Sequence, residues 1–151
     1  MLFTTPIVLV AGIVAAVVGT SGQSKTLEPL TARPGNASVA VGPGPVTTVL
    51  SARPFRLELR LTPNRATLRG TISVRLLKGG RPVNGARVKL TFSMLDMDMG
   101  RLSGLLPQTA SGTYAHAGPV LGMGGHWGLR FDVAPPGAAP FSITVVDRMD
   151  S

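Results

Sequence analysis

Between Phe55 and Val145 apolar residues return at every second position, and no stretch repeats them with a helical period. Phe55, Leu57, Leu59 and Leu61 alternate with Arg56, Glu58 and Arg60. Successive side chains of a strand point to opposite faces, so such a run offers one face to a core and one to water. The pattern returns with Leu68, Ile72, Val74 and Leu76, and again with Val88, Leu90, Phe92 and Met94. It reappears in the short run 113–117, with Trp127, Leu129, Phe131 and Val133, and with Phe141, Ile143 and Val145. Turn formers punctuate these runs at Pro63-Asn64-Arg65, across 79–85 and at Pro135-Pro136-Gly137, and Gly70 is expected to mark a bulge. A two-residue period cannot be buried by a helix, so the apolar faces have to meet sheet against sheet. The expected fold is all-β, an immunoglobulin-like Greek-key β-sandwich of about seven strands.

Two segments precede it. Met1 to Gly19 is apolar apart from Thr4 and Thr5, with an unbroken run from Pro6. That run has the character of the apolar region of a signal peptide or of a short membrane anchor, and Thr20 and Gly22 stand two apart after it. No Lys or Arg precedes the run, and the first basic residue is Lys25. The composition then turns to Gly, Pro, Ser, Thr and Ala, including Gly42-Pro43-Gly44-Pro45, as in a flexible tether. The expected organisation is a signal peptide or anchor over 1–22, a tether over 23–53 and the sandwich over 54–151. An anchor followed by a tether places the domain outside the cytoplasm, in a periplasm or at a cell surface, attached to the membrane through the N-terminal segment if that segment is not cleaved.

Composition narrows the chemistry. There is no cysteine among the 151 residues, so disulfides, thiolate metal sites and thiol catalysis are excluded. The formal net charge is +8. The arginines are interleaved with apolar strand residues, as on the solvated face of a sheet, and no aromatic pattern of RNA recognition accompanies them, so nucleic acid is not an expected partner. No HExxH, GxSxG or phosphate-binding glycine loop occurs, and the chain is read as a protein without enzymatic activity.

The chemistry-bearing residues gather between Met94 and Trp127. Four of the six methionines (Met94, Met97, Met99 and Met123) and both histidines, His116 and His126, fall in this stretch. Soft thioether donors together with imidazole suit copper, above all Cu(I), whereas carboxylates such as Asp96 and Asp98 favour harder ions. Methionine is also ordinary core filler, and Met94 continues the inward series of Phe92. Met97 and Met99 have the opposite parity; on an extended chain they project about 7 Å apart along one side. His116 shares the face of Tyr114 and is expected at the edge of the core. His126 precedes Trp127 and turns away from the core, after a Met123-Gly124-Gly125 loop able to bring Met123 and His126 to one ion.

The order Gly85-Ala86-Arg87-Val88, then Met97-Asp98-Met99, then Gly112-Thr113-Tyr114, then Met123-Gly124-Gly125-His126-Trp127 resembles the YtkA-like domain and, in its G-x-Y and G-x-W points, the related FixH-like domain. The resemblance spans about Phe55 to Val146. It implies an extracytoplasmic immunoglobulin-like sandwich associated with copper handling or with assembly of copper-containing respiratory oxidases. Met97, Met99 and Met123 match the family's methionine positions, and Tyr114 and Trp127 its structural ones. The usual M-P-x-M form is altered: Leu95 and Asp96 stand in the proline region, and Gly100 and Arg101 where a histidine often follows.

Two expectations of function follow. In one, Met97, Met99, Met123 and His126, with His116 in reserve, hold copper at one end of the sandwich for delivery to a copper-accepting protein. In the other, the domain binds no metal and presents sheet edges and a basic face, including Arg56, Arg60 and Arg75, to a membrane protein complex.

Overall fold

The alternating runs become strands. The computed structural model describes residues 39–151; the segment expected over 1–22, and the part of the expected tether up to residue 38, lie outside them. The strands are β1 (Val39–Val41), β2 (Val46–Ala52), β3 (Phe55–Thr62), β4 (Thr71–Lys78), β5 (Arg81–Pro82), β6 (Arg87–Met94), β7 (Arg101–Leu106), β8 (Gln108–Ala110), β9 (Thr113–Ala117), β10 (Gly125–Ala134) and β11 (Phe141–Met149). No helix occurs among the described residues.

One sheet has the order β1-β11-β10-β6-β7 and the other β2-β3-β4-β9-β8, with β5 added to β4. The chain leaves the second sheet after β4 and β5, builds β6 and β7 in the first, returns for β8 and β9, and crosses again to β10 and β11. This is the expected immunoglobulin-like connection: a four-strand set β3-β4-β9-β8 faces β11-β10-β6-β7. Between the sheets lies one continuous apolar core, with Leu57, Leu59, Val74, Leu76 and Tyr114 from one side and Val88, Leu90, Leu129, Phe131 and Val145 from the other. Burying each large side chain of this set contributes roughly 1.5–3 kcal/mol. The core is also pinned across the sheets by Phe55 and Phe141, whose stacked rings lie 5.1 Å apart.

Tyr114 is fully buried with its hydroxyl satisfied. It donates to the Val83 carbonyl at 2.8 Å and accepts from the Ala86 N–H at 2.9 Å. The loop before β6 is thereby tied to β9. The arginines behave as their parity requires: Arg56, Arg60 and Arg75 are exposed on the outer face of β3 and β4, with an Arg75 guanidinium nitrogen 3.9 Å from Glu58.

Four details differ from expectation. The sandwich has eleven strands rather than about seven, because edge strands with no alternating pattern join the sheets. The tether expected as far as residue 53 gives way to β1 and β2, and Val46 and Leu50 of β2 are buried. The second strand begins at Thr71, so Gly70 precedes the strand instead of bulging it, and Leu68 stands exposed in a loop. The Pro63-Asn64-Arg65 turn is accordingly part of a longer connection. That loop is fastened by the Ala66 N–H to the Asp150 carbonyl at 2.7 Å and the Thr67 N–H to the Leu121 carbonyl at 2.7 Å.

Candidate metal centre at one end of the sandwich

The end of β6 and the start of β10 lie side by side, Met94 opposite Trp127, and Trp127 in turn lies opposite Asp147 of β11. Met94, Trp127 and Asp147 thus form one inward-facing row that floors this end of the molecule, and all three are buried. Met94 is core, as its parity predicts. Its methyl group packs so close to Gly125 that a Cβ there would sit 3.0 Å from it.

Above this floor, two loops meet. The first, residues 95–100, follows β6 and carries Asp96, Met97 and Met99; the second, residues 118–124, precedes β10 and carries Met123. His126 joins them. Its backbone N–H donates to Asp96 Oδ2 at 2.8 Å, its Nδ1 lies 3.1 Å from Asp96 Oδ1, and its carbonyl accepts from the Leu95 N–H at 2.8 Å. The neighbouring Trp127 donates its indole N–H to the Met123 carbonyl at 3.2 Å. His126 and Trp127, consecutive on β10, therefore hold both methionine-bearing loops.

The electrostatics follow from this geometry. The His126 backbone N–H, more than anything else, holds the Asp96 carboxyl below its ordinary value of 3.8; burial opposes it, and the contact with the imidazole lowers the carboxyl further. A carboxylate facing Nδ1 favours the tautomer with the proton on that nitrogen, which leaves the Nε2 lone pair as the donor. Gly125 makes the approach possible: its φ is +136°, and a Cβ would meet Asp96 Oδ2 at 2.6 Å.

Met97 is 50 % exposed, Met99 57 % and Met123 37 %. These long apolar side chains stand in water on loops 95–100 and 118–124, at the end of the molecule where His126 begins β10. Among the described residues, no group of three or more His, Asp or Glu side chains is arranged to hold a metal ion. The donor set offered at this end is thus thioether and imidazole, which fits a soft ion such as Cu(I) better than a hard one.

His116 stands apart. It is exposed on β9, paired with Ile72 of the neighbouring β4 in the same sheet, and lines a cleft with Phe92, Leu102 and Gly118, without Met97, Met99 or Met123 in its walls. The remaining carboxylates have local partners. Asp98 accepts from the Gly100 N–H at 3.2 Å, and Asp132 accepts from Arg130 Nε at 2.8 Å and from the Ser142 hydroxyl at 2.5 Å. Burial pushes Asp132 up, but the Ser142 hydroxyl and the Arg130 guanidinium outweigh it and the carboxyl lies below the usual range.

Asp147 was not singled out by the sequence reading. It is fully buried, and Asn64 Nδ2 donates to its Oδ1 at 2.7 Å while Oδ2 has no partner. Burial pushes the Asp147 carboxyl above its ordinary value, against the lowering effect of the Asn64 bond. The pair borders a cavity of about 30 Å³ shared with Leu129 and Met149, the volume of about one water molecule. The signal was available: Phe141, Ile143, Val145 and Asp147 share one parity, so an acid stands where the alternation asks for a core residue.

The sequence model of the YtkA-like family matches residues 51–132, more than half of the chain. The chain belongs to the YtkA-like family. No curated protein and no solved structure gives a significant match. The family span of this YtkA-like protein runs from the end of β2 into β10 and holds Tyr114, Trp127 and every candidate ligand, whereas β11 with Asp147 lies beyond it.

Proposed function

We propose that this YtkA-like domain is an extracytoplasmic copper-handling module that holds Cu(I) with Met97, Met99, Met123 and His126 at one end of the sandwich and passes it to a copper-accepting protein. One observation supports the reading: the loop with exposed Met97 and Met99 is fastened to His126 through Asp96, the loop with exposed Met123 is fastened to the next residue, Trp127, and the His126 Nδ1 faces a carboxylate. Thioethers bind Cu(I) without proton release, and half-exposed ligands at a loop tip are accessible to an acceptor. Asp96 acts through His126, orienting the ring and fixing its tautomer rather than ligating a soft ion. The N-terminal segment would supply export and, if retained, attachment to the membrane.

Titration of the full chain with Cu(I) against a competing chelator tests this reading. Replacing Met97 and Met99 together by leucine is expected to weaken binding at least about tenfold, because leucine keeps the volume and removes the donor. His116→Ala is expected to leave affinity unchanged, since His116 lines a different cleft. Equal affinity for the wild-type chain and the Met97, Met99 double variant would remove these residues from the site. A second reading, an assembly domain that binds no metal, is favoured by the exposed apolar edge at β7, where Leu102 and Leu105 stand in water.

A further inference from the structure

The two sheets are closed on one another unevenly along the side where β7 and β8 lie. At Leu106–Pro107 the chain steps directly from one sheet to the other, and Leu106 is buried. Away from that step the sandwich opens. β7 is the edge of its sheet along its whole length, and β8 pairs with β9 only at Tyr114 and Thr113, so the end of β9 has no outer neighbour. Between these two free edges lies a cleft of about 340 Å³ floored by Ile72, Leu90 and Phe92.

β7 carries little of the protection that edge strands usually have. It reads Arg-Leu-Ser-Gly-Leu-Leu, with its one charge at the first residue and its proline only after the last. Leu102 shares the parity of buried Leu106 and pairs with Phe92, which puts it on the cleft side, yet it is 53 % exposed. Gly104, at the middle of the strand, has open space where a Cβ would be. The formal charge at the cleft is positive, carried by arginine. Arg69 and His116 line it, Arg101 opens β7, no carboxylate is among the lining residues, and neither arginine makes an ion pair among the described residues.

We propose that this edge is a docking site for an extended segment of a partner protein that carries apolar residues in alternation with at least one carboxylate. The segment would add to β7 as a further strand, with its alternate apolar side chains covering Leu102 and entering the cleft over Phe92 and Ile72. Its carboxylate would meet Arg69 or Arg101. A second copy of this chain pairing through β7 is a poor occupant, because β7 carries no carboxylate to offer Arg69 or Arg101. The site shares no ligand residue with the proposed copper centre.

Panning a displayed library of random octapeptides on the full chain tests the proposal, with the Leu102→Lys chain as the counter-target and circular dichroism confirming that both are folded. Enriched peptides are expected to alternate apolar residues and to carry Asp or Glu. Their affinity is expected to fall about tenfold with Arg69→Glu and Arg101→Glu together, the scale of two exposed ion pairs lost and reversed. Binding is also expected to weaken at high salt and to be unaffected by Met97→Leu with Met99→Leu, so failure here and failure of the copper reading are told apart. The proposal is overturned if nothing is enriched, if the peptides lack acids, or if the Leu102→Lys chain retains them equally. A concentration-dependent dimer dissolved by Leu102→Lys would overturn it as well, by making a second copy the occupant.

Discussion

His126 shows how one residue can serve fold and site together. Its backbone and its ring both bond Asp96, so the same carboxylate closes the loop and orients the imidazole. Asp96→Ala is expected to cost about 1 kcal/mol and no more, because the pair is over a third exposed and solvent screens it. Asp96 is held below its ordinary value, so its contribution is present above pH 3.8 and is lost as pH falls through the lower folded value. Acid melts of wild type and Asp96→Asn should converge below that point. Asp147 has the opposite sign. Its folded carboxyl keeps its proton to higher pH than an unfolded one, so stability falls as pH rises from 3.8 through the raised value. Asp147→Asn should remove that fall and leave stability at neutral pH equal or greater in thermal unfolding, whereas Asn64→Ala should lose about 1–3 kcal/mol by leaving the buried carboxyl unpartnered. A large loss of stability in Asp147→Asn at neutral pH would contradict this. Alternation alone placed Met94, Trp127 and His126 correctly. His116 lies on the rim of the core, where it lines a cleft with Ile72, Leu90 and Phe92 and stands exposed.

At the scale of elements, the strands that were legible are those with one face in the core. β3, β6, β10 and β11 each bury alternate residues; the limits of β3, β6 and β10 follow the pattern within a residue or two, and β11 runs four residues past Val145. β7 and β8 were not legible as strands because almost every residue in them is exposed, so no periodicity marks them. β2 was hidden differently: its two buried residues, Val46 and Leu50, are four apart, and it follows directly on Gly42-Pro43-Gly44-Pro45. Two positions fasten loops: Gly125 lets Asp96 reach His126 at the candidate site, and Tyr114 holds the loop before β6. Gly125→Ala should cost about 1–3 kcal/mol from its left-handed φ and should push Asp96 from His126, read as loss of the acid-dependent stability described above. Tyr114→Phe should cost about 1–3 kcal/mol in denaturant unfolding, since it leaves the Val83 carbonyl and the Ala86 N–H unpaired near the core.

For the whole molecule, fold and family are settled by the same residues, while the metal is a matter of donor chemistry. The order of the Gly, Tyr, Trp and Met motifs was readable because a sandwich needs small and large residues at fixed corners. The loop paths at this end were not readable, because loop 95–100 is fixed by Asp96 to His126 and loop 118–124 by the Leu121 carbonyl to the Thr67 N–H, partners far apart in sequence. Export belongs to this scale too: in its own host the chain is expected in the membrane or extracytoplasmic fraction, and recovery from the cytosol would contradict an extracytoplasmic role. The copper reading is tested most directly by X-ray absorption spectroscopy of the full chain loaded with one equivalent of Cu(I). The expected spectrum has thioether sulfur scatterers with one imidazole nitrogen, and loses its sulfur shell when Met97, Met99 and Met123 are replaced by leucine. A metal shell of nitrogen and oxygen alone, or a sulfur shell that survives those replacements, would contradict the proposed centre.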